Sequence, residues 1–176
     1  VAVTGVQTCA LPICGKILGS GGAVSLAADW LFEREDLALV CNSDVIASPD
    51  FSQMVAAHRA IRARSGVECT LAVLKNSEAG VKYTGLRVRD GLVLAFEKTG
   101  KADPDLWHFP GFYLLQKEAI QRLPSPGADF GILETLWRPL IQEKRLGAWE
   151  YSGQYFDLGS VEDLEAAERA LGPERG

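Results

Sequence analysis

Two aspartates stand where carboxylates could bind a metal ion. Asp44 closes the tripeptide Asn42-Ser43-Asp44 after the apolar run Leu37–Cys41, and Asp157 follows the aromatic pair Tyr155-Phe156. Ligands of α/β sheets gather at the carboxyl ends of strands, and Mg²⁺ is usually held by one or two carboxylates with water and phosphate oxygens in the remaining positions. Each aspartate could equally be a turn residue that satisfies local backbone, so spacing alone leaves both interpretations open.

Two further stretches carry groups that suit a phosphate or sugar ligand. Gly19-Ser20-Gly21-Gly22 leads into a predicted helix, where glycines permit close approach to the backbone and a helix N-terminus favours anionic groups. Glu97-Lys98 ends the second strand of a predicted hairpin and offers an acid beside a base. A glycine-rich stretch is often only a tight turn, and an adjacent acid and base are usually solvated charge, so neither identifies a site alone.

Hydrophobic periodicity predicts the first elements that would carry these groups. A helical stripe covers residues 23–34, and Leu37–Cys41 has the continuous apolar character of a strand buried on both faces. A second helix opens after residues 48–50, and residues 69–74 form another buried strand. This alternation of strand and helix indicates an α/β sheet, parallel at first and mixed later.

The second half of the chain has shorter elements. Asp90-Gly91 between two apolar runs predicts a β-hairpin. Residues 107–115 predict a strand, residues 117–123 a short helix, and residues 130–144 a longer helix that Pro139 must kink or restart. Residues 148–151 and 154–156 predict short strands, and Ser160 is the N-cap of a last helix with Asp163 at the capping-box position.

Composition narrows the classes of function. The 176 residues contain 47% hydrophobic and 23% charged side chains and carry a net charge of -5. The acidic balance argues against a nucleic-acid partner, and no apolar run approaches the ~20 residues that cross a bilayer. The four cysteines show no Cys-x-x-Cys spacing, and Cys41 and Cys69 lie in apolar runs where we expect buried thiols. A reduced, cytoplasmic setting is therefore predicted.

The first fourteen residues have neither helical nor strand periodicity, nor the basic and apolar regions of a secretory signal. The string from Val3 to Ile13 resembles the in-frame translation of a sequencing-adapter oligonucleotide. We therefore expect residues 1–14 to be non-native and residues 15–172 to form one domain. The alternative is a disordered native tail.

The order of the motifs along the chain resembles the sugar-1-phosphate nucleotidyltransferases, which include mannose-1-phosphate guanylyltransferases and glucose-1-phosphate thymidylyltransferases. The series runs from Ile17 to Leu171: Leu-Gly-Ser-Gly-Gly-Ala, Asn-Ser-Asp-Val, Tyr-Thr-Gly, Phe-Glu-Lys, Pro-Gly-Phe-Tyr and Phe-Asp-Leu-Gly-Ser. The resemblance implies a Rossmann-like nucleotidyltransferase fold with a mixed, mainly parallel sheet that lacks its first strand–helix units.

The resemblance also implies roles for particular residues. Asp44 and Asp157 would bind Mg²⁺, and Lys98 would bind the acceptor phosphate. The other matching positions would contact the nucleobase (Gly21 and Gly22) or the sugar (Gly85, Glu97, Gly111 and, less directly, Glu134). Thr99 stands where the family usually has Pro, and Pro110 where a small residue is common; both departures affect the sugar site.

The resemblance implies a reaction that joins a nucleoside triphosphate and a sugar 1-phosphate to give a nucleotide-sugar and pyrophosphate. It is also compatible with a homo-oligomer. The family's N-terminal Gly-rich signature with its Arg, which binds the triphosphate, has no match in these 176 residues. We therefore expect an active parent protein, but a chain that is inactive and poorly stable as it stands.

Two alternatives come from other classes of protein. A non-catalytic regulatory relative would keep the fold, but it has no need of Asp44, Asp157 and Lys98. A metal-dependent glycosyltransferase typically carries Asp-x-Asp, whereas the residue two positions before Asp44 is Asn42.

Overall fold

Residues 17–172, the part of the chain that the computed structural model describes, form nine strands and five α-helices. The strands are β1 (Leu37–Cys41), β2 (Val45–Ala47), β3 (Cys69–Val73), β4 (Gly85–Arg89), β5 (Leu92–Glu97), β6 (Leu106–Trp107), β7 (Phe112–Gln116), β8 (Leu146–Glu150) and β9 (Tyr155–Asp157). The helices are α1 (Gly19–Leu26), α2 (Ala28–Leu31), α3 (Phe51–Ser65), α4 (Arg138–Gln142) and α5 (Val161–Leu171). The predicted non-native segment 1–14 lies outside the described residues.

Seven strands form one mixed sheet in the order β1-β7-β3-β8-β5-β4-β6, and β2 and β9 form a separate two-stranded ribbon. The predicted mixed α/β sheet is confirmed, but the expectation that it is mainly parallel is wrong for the described strands. Among them β3 and β8 alone run parallel as neighbours. The crossover through α3 does make β1 and β3 run in the same direction, but β7 lies between them and is antiparallel to both.

The central strands separate two apolar cores, because successive side chains of a strand point to opposite faces. On β7, Tyr113 and Leu115 belong to the larger core, whereas Phe112 and Leu114 belong to the smaller one with Met54 of α3. The larger core also contains residues of α1, of α4 and of the π-helical turn Leu133–Trp137. Helical segments therefore cover both faces of the sheet.

The strand before Asp44 is less buried than its sequence predicts. Leu39 is 37% exposed and Cys41 is also exposed. Within the described residues β1 is an edge strand with β7 as its one neighbour, so the predicted burial on both faces is wrong here. Cys69, on the central strand β3, is buried as expected.

Local sequence signals place the later elements correctly. Asp90 and Gly91 form the β4–β5 turn with φ values of 54° and 75°, as the two central positions of a type I′ turn require. Ser160 caps α5 by accepting the N–H of Asp163 at 3.1 Å. Pro139 lies in the first turn of α4, which continues directly from the π-helical turn.

Two predicted elements differ in detail. The predicted strand 107–115 divides into β6 and β7, because Pro110 and Gly111, which has a φ of 94°, interrupt it. Lys117–Arg122 forms a 3₁₀ helix. None of the helices in residues 17–172 is long and apolar enough to cross a membrane.

Candidate active site

The ribbon of β2 and β9 brings the two candidate metal ligands together. Asp44 immediately precedes β2 and Asp157 ends β9, and Asp157 lies opposite Val45 in the antiparallel register. The backbone N–H of Leu158 donates to the carbonyl of Asp44 at 2.9 Å. The N–H of Gly159 donates to Oδ1 of Asp157 at 3.0 Å. Residues that are 113 positions apart in the sequence are therefore neighbours in this ribbon.

This pair of carboxylates has the chemistry of a sparse magnesium site. No group of three or more His, Cys, Asp or Glu side chains in residues 17–172 is arranged to hold a metal ion. Mg²⁺ does not need such a cage, because it commonly keeps several waters and takes one or two carboxylates together with substrate phosphates. Asp44 and Asp157 fit that mode of binding.

An aromatic cluster lies beside Asp157. The Tyr83 and His108 rings have centroids 4.2 Å apart, and the centroids of His108 and Tyr155 are 5.1 Å apart. His108 is only 5% exposed, and burial lowers its pKa to about 4 although Asp157 acts in the opposite direction. Burial also raises the pKa of Tyr83; Lys82 acts in the opposite direction, and the negative charge of the nearby Asp157 carboxylate raises the pKa further.

A cation stands next to this cluster. Nζ of Lys82 donates to both carboxylate oxygens of Asp163 at 2.7 and 2.9 Å, and it lies 5.1 Å from the centroid of the Tyr83 ring. The hydrogen bond to Asp163 raises the pKa of Lys82, and the same contact lowers the pKa of Asp163. The pair links the loop before β4 to the first turn of α5.

The predicted sugar-site residues Gly85 and Glu97 face each other across the β4–β5 ladder. Arg87 donates from Nε and Nη2 to the two oxygens of Glu97 at 3.2 and 2.9 Å, and this ion pair lowers the pKa of Glu97. Arg87 also donates to Asp103 at 2.9 Å. Lys98 follows directly after β5 with an exposed side chain.

Close packing leaves no room for a side chain at two of the glycines predicted for the site. A Cβ on Gly85 would lie 2.7 Å from Cδ1 of Leu106, and a Cβ on Gly111 would lie 2.9 Å from Cβ of Asn42. The carbonyl of Gly111 accepts the N–H of Asn42 at 2.7 Å. Gly111 therefore supports the turn that carries Asp44, whatever else it contacts.

The glycine-rich stretch differs from the predicted loop. Gly21 and Gly22 lie inside α1, which begins at Gly19 rather than at Ala23. Their N–H groups donate to the carbonyl of Phe130 at 3.0 and 3.3 Å. The helix can begin early because the missing side chains let its backbone pack against the 128–130 segment.

Glu134 has a polar contact of its own. It lies in the π-helical turn with a largely exposed side chain and forms an ion pair with Arg138 at 2.7 Å. The structure thus groups the carboxylate pair with Gly111 and pairs Gly85 with Glu97 and Lys98, whereas the contact shown for Glu134 is with Arg138.

Several side chains of this region carried no individual prediction. Lys82, His108 and Arg87 were not singled out, and Tyr83 appeared only within a motif. The one local signal is a Lys-Tyr pair just before a strand that begins with glycine, and it could have indicated Lys82 and Tyr83. The ion pairs of Arg87 and the burial of His108 depend on the fold and leave no pattern in the sequence.

The carboxylate pair does not line the following surface cleft. A cleft of about 380 Å³ lies between the loops after β3 and before β6, and Lys75, Asn76, Asp103 and Leu106 are among its lining residues. None of the predicted site residues lines it. We give more weight to the carboxylate ribbon, because a shallow site that binds a metal and phosphates needs charge at defined positions rather than enclosed volume.

Comparison with known proteins identifies the family of this chain. The sequence model of the family described as "Nucleotidyl transferase" matches residues 6–173, so the chain belongs to this family. It is 28% identical over 149 residues to the mannose-1-phosphate guanylyltransferase catalytic subunit beta of Xenopus tropicalis, which covers 84% of this chain and 39% of that protein. It is 27% identical over 150 residues to the mannose-1-phosphate guanylyltransferase of Mycobacterium tuberculosis, with 84% and 40% covered. The chain thus spans about two fifths of the length of these relatives.

Solved structures show the same fold. HddC from Yersinia pseudotuberculosis, in complex with GMP-PN, superposes with a TM-score of 0.68 at 19% identity over 90% of this chain and 64% of that one. The UDP-glucose pyrophosphorylase from Acinetobacter baumanii gives a TM-score of 0.68 at 22% identity over 92% and 59%. The predicted Rossmann-like nucleotidyltransferase fold is confirmed.

Proposed function

We propose that the parent protein of this chain joins a nucleoside triphosphate and a sugar 1-phosphate to give a nucleotide-sugar and pyrophosphate. The observation that carries the proposal is the β2–β9 ribbon, which sets Asp44 next to Asp157. The β4–β5 hairpin adds the facing pair Gly85 and Glu97, followed by Lys98. These elements supply carboxylates for a metal ion, a cation for a phosphate and polar groups for a sugar.

In this proposal Asp44 and Asp157 hold Mg²⁺, which when bound neutralises charge on the phosphate oxygens. Lys98 binds the phosphate of the sugar 1-phosphate. Arg87 keeps the Glu97 carboxylate ionised and oriented, so that Glu97 can accept hydrogen bonds from sugar hydroxyls. The backbone of Gly85, at the start of β4, would lie against the sugar.

The chemistry is an in-line attack of a sugar-phosphate oxygen on the α-phosphorus of the triphosphate. A new P–O bond forms as the bond to the pyrophosphate leaving group breaks. The attacking oxygen is already ionised near neutral pH, so no general base is required. Catalysis then consists of positioning and charge neutralisation.

The relatives suggest GTP and mannose 1-phosphate as the first substrates to test, because two of them are mannose-1-phosphate guanylyltransferases. The chemistry would be the same with another base or sugar. A cytoplasmic location and a homo-oligomer stay predictions.

The experiment measures binding of GDP-mannose to this chain by calorimetry, with and without Mg²⁺. A nucleotide-sugar is the right probe because it carries no triphosphate, so its binding does not need the family's triphosphate-binding signature. We expect binding that requires Mg²⁺ and that Asp157→Asn weakens by at least about tenfold, as loss of a direct metal ligand should exceed the usual effect of an outer partner. Asp29→Asn, an exposed carboxylate on α2, is the matched control and should bind normally.

Equal affinity for Asp157→Asn and the control, or binding that does not depend on Mg²⁺, contradicts the proposal. Release of GDP in the same mixture would favour the glycosyltransferase alternative. Pyrophosphate release from GTP and mannose 1-phosphate is expected to stay at the level of the blank, since the family's triphosphate signature has no match in this sequence. Release above the blank would support the function and overturn the predicted inactivity.

A further inference from the structure

Lys98 lies between two anchored stretches of backbone. On its amino-terminal side, Glu97 pairs with Gly85 at the end of the β4–β5 ladder. On its carboxyl-terminal side, the N–H of Gly100 donates to the carbonyl of Gly80, in the loop before β4, at 2.9 Å. The backbone that carries the lysine is therefore held both before and after it.

A turn closed by Thr99 makes the second anchor. The hydroxyl of Thr99 donates to the carbonyl of Lys101 at 2.7 Å, and the N–H of Lys101 is 3.4 Å from the same oxygen. A threonine hydroxyl can donate and accept at once, so one side chain satisfies two backbone groups of the turn. Gly100 forms the tip of this turn with a φ of 69°. The closed turn therefore presents the N–H of Gly100 to Gly80 in a defined direction.

Gly80 packs both against this turn and against the start of β4. A Cβ on Gly80 would lie 2.8 Å from Oγ1 of Thr99, and a Cβ on Gly85 would lie 3.1 Å from the backbone nitrogen of Gly80. The φ of Gly80 is 84°, a conformation that glycine adopts without steric cost. The turn after Lys98 and the strand start at Gly85 therefore meet at one residue.

We propose that Thr99 is a positioning residue for Lys98. Its hydroxyl closes the turn that docks on Gly80, and this contact sets the place of Lys98 relative to the start of β4. The inference rests on the proposed function, because it takes Lys98 as the group that binds the phosphate. It also takes Gly85 and Glu97 as contacts of the sugar, so the turn fixes the separation between the phosphate-binding and the sugar-binding groups.

The exposure of Lys98 explains why its backbone has to be held. The side chain is exposed, and ordering a free lysine side chain on a ligand costs conformational entropy. A fixed backbone confines the ammonium group to a smaller volume before the ligand arrives, and groups placed in advance bind more tightly. Thr99, where this chain departs from the family pattern, thereby acquires a role in the site.

The test measures binding of GDP-mannose to the whole chain by calorimetry in the presence of Mg²⁺. We expect Thr99→Val, which keeps the shape of the side chain but lacks its hydroxyl, to raise the dissociation constant about fivefold, the effect of one net hydrogen bond. Thr99→Ser keeps the hydroxyl and should restore most of the affinity. Ser65→Ala removes an exposed hydroxyl at the end of α3 and is the matched control, with no change expected.

A double-mutant cycle separates an effect through Lys98 from a general effect on the loop. Lys98→Met alone should weaken binding more than Thr99→Val does. Adding Thr99→Val to Lys98→Met should weaken binding no further, because the cation that Thr99 positions is already gone. Additive losses would show that Thr99 acts independently of the lysine and would overturn the inference.

The remaining outcomes distinguish the inference from the proposed function. Thr99 is exposed, so Thr99→Val should unfold near the wild-type temperature, and a folded variant that binds like wild type would overturn the inference alone. Normal binding by Lys98→Met together with weak binding by Asp157→Asn would leave the metal site standing and remove the role of Lys98 and the inference. A wild-type chain that does not bind GDP-mannose would overturn the proposed function and the inference with it.

Discussion

His58 makes the stability of this fold depend on pH in the mildly acidic range. It lies on α3 with 0% of its surface exposed. Its Nε2 is 2.9 Å from the side-chain nitrogen of Gln116 and its Nδ1 is 2.8 Å from the hydroxyl of Thr70. An amide nitrogen can only donate, so Nε2 accepts and Nδ1 carries the proton, and the ring is a neutral imidazole. A second proton, on Nε2, would face the amide donor.

Burial lowers the pKa of His58 to about 4 from its ordinary 6.5, with the charges of Arg62 and Arg59 acting in the same direction. Above pH 6.5 the ring is neutral in both the folded and the unfolded chain, so its protonation does not lower the free energy of unfolding. As pH falls from 6.5 towards 4, the unfolded chain takes up a proton that the folded chain does not, so the free energy of unfolding decreases. Below pH 4 the loss is complete.

The two pKa values give the size of the effect. At pH 5.0 the unfolded ring is almost fully protonated and the folded ring is mostly neutral, so His58 lowers the free energy of unfolding by about 2 kcal/mol relative to pH 7.5. His108, the second of the two histidines in the chain, also has a pKa lowered to about 4. It should add a similar loss, for a total of about 4 kcal/mol.

Urea unfolding of the wild type and of His58→Gln at pH 7.5 and pH 5.0 measures the difference directly. The variant is expected to be less stable at both pH values, but its loss on acidification should be smaller than that of the wild type by about 2 kcal/mol. His108 is present in both proteins and cancels. An equal loss in the two proteins would refute the argument, as would an NMR titration that finds His58 protonating near pH 6.5 in the folded chain.

Four substitutions test three other features. Glu68→Gln should destabilise the fold by about 3 kcal/mol in urea unfolding, because the nearly buried carboxylate compensates two arginines; a change below about 1 kcal/mol would make it an ordinary surface ion pair. Gly22→Ala should cost about 1–3 kcal/mol, because its Cβ would overlap a backbone carbonyl; an unchanged unfolding midpoint would contradict that packing. Gly111→Ala should cost more than Gly127→Ala, since both have φ near 90° but only Gly111 would meet a neighbour, Asn42. Equal losses would show that backbone strain alone decides.

The elements that the sequence predicts well depend on local chemistry. Asp90-Gly91 forms the hairpin turn because these residues tolerate positive φ, and Ser160 caps α5 through a backbone N–H three residues away. Both outcomes are decided within a few residues. The candidate aspartates were likewise found from their local setting, since each follows a short apolar segment and precedes a turn.

The predictions that are wrong concern features that depend on distant parts of the chain. Leu39 and Cys41 belong to an apolar run, but their burial depends on which strands flank β1, and the described neighbour is β7 alone. The sheet direction was misjudged for the same reason, because insertion of β7 between β1 and β3 leaves no signal in either strand. Gly21 and Gly22 gave a loop-like pattern, although their backbone is satisfied by Phe130, more than a hundred residues later.

The pairing of Asp44 with Asp157 depends on the register of a ribbon only three residue pairs long. A shift of one residue would turn the side chains of β9 to the opposite face and change the position of the Asp157 carboxylate relative to Asp44. Three backbone pairs cannot resist such a shift alone, since isolated two-stranded ribbons are marginally stable in water. The register must therefore be held from outside, by the contact of Tyr155 with buried His108 and by the N-cap of α5 directly after the ribbon. For this reason the residues that keep the two carboxylates together lie in the surrounding packing and not in the motifs that contain them.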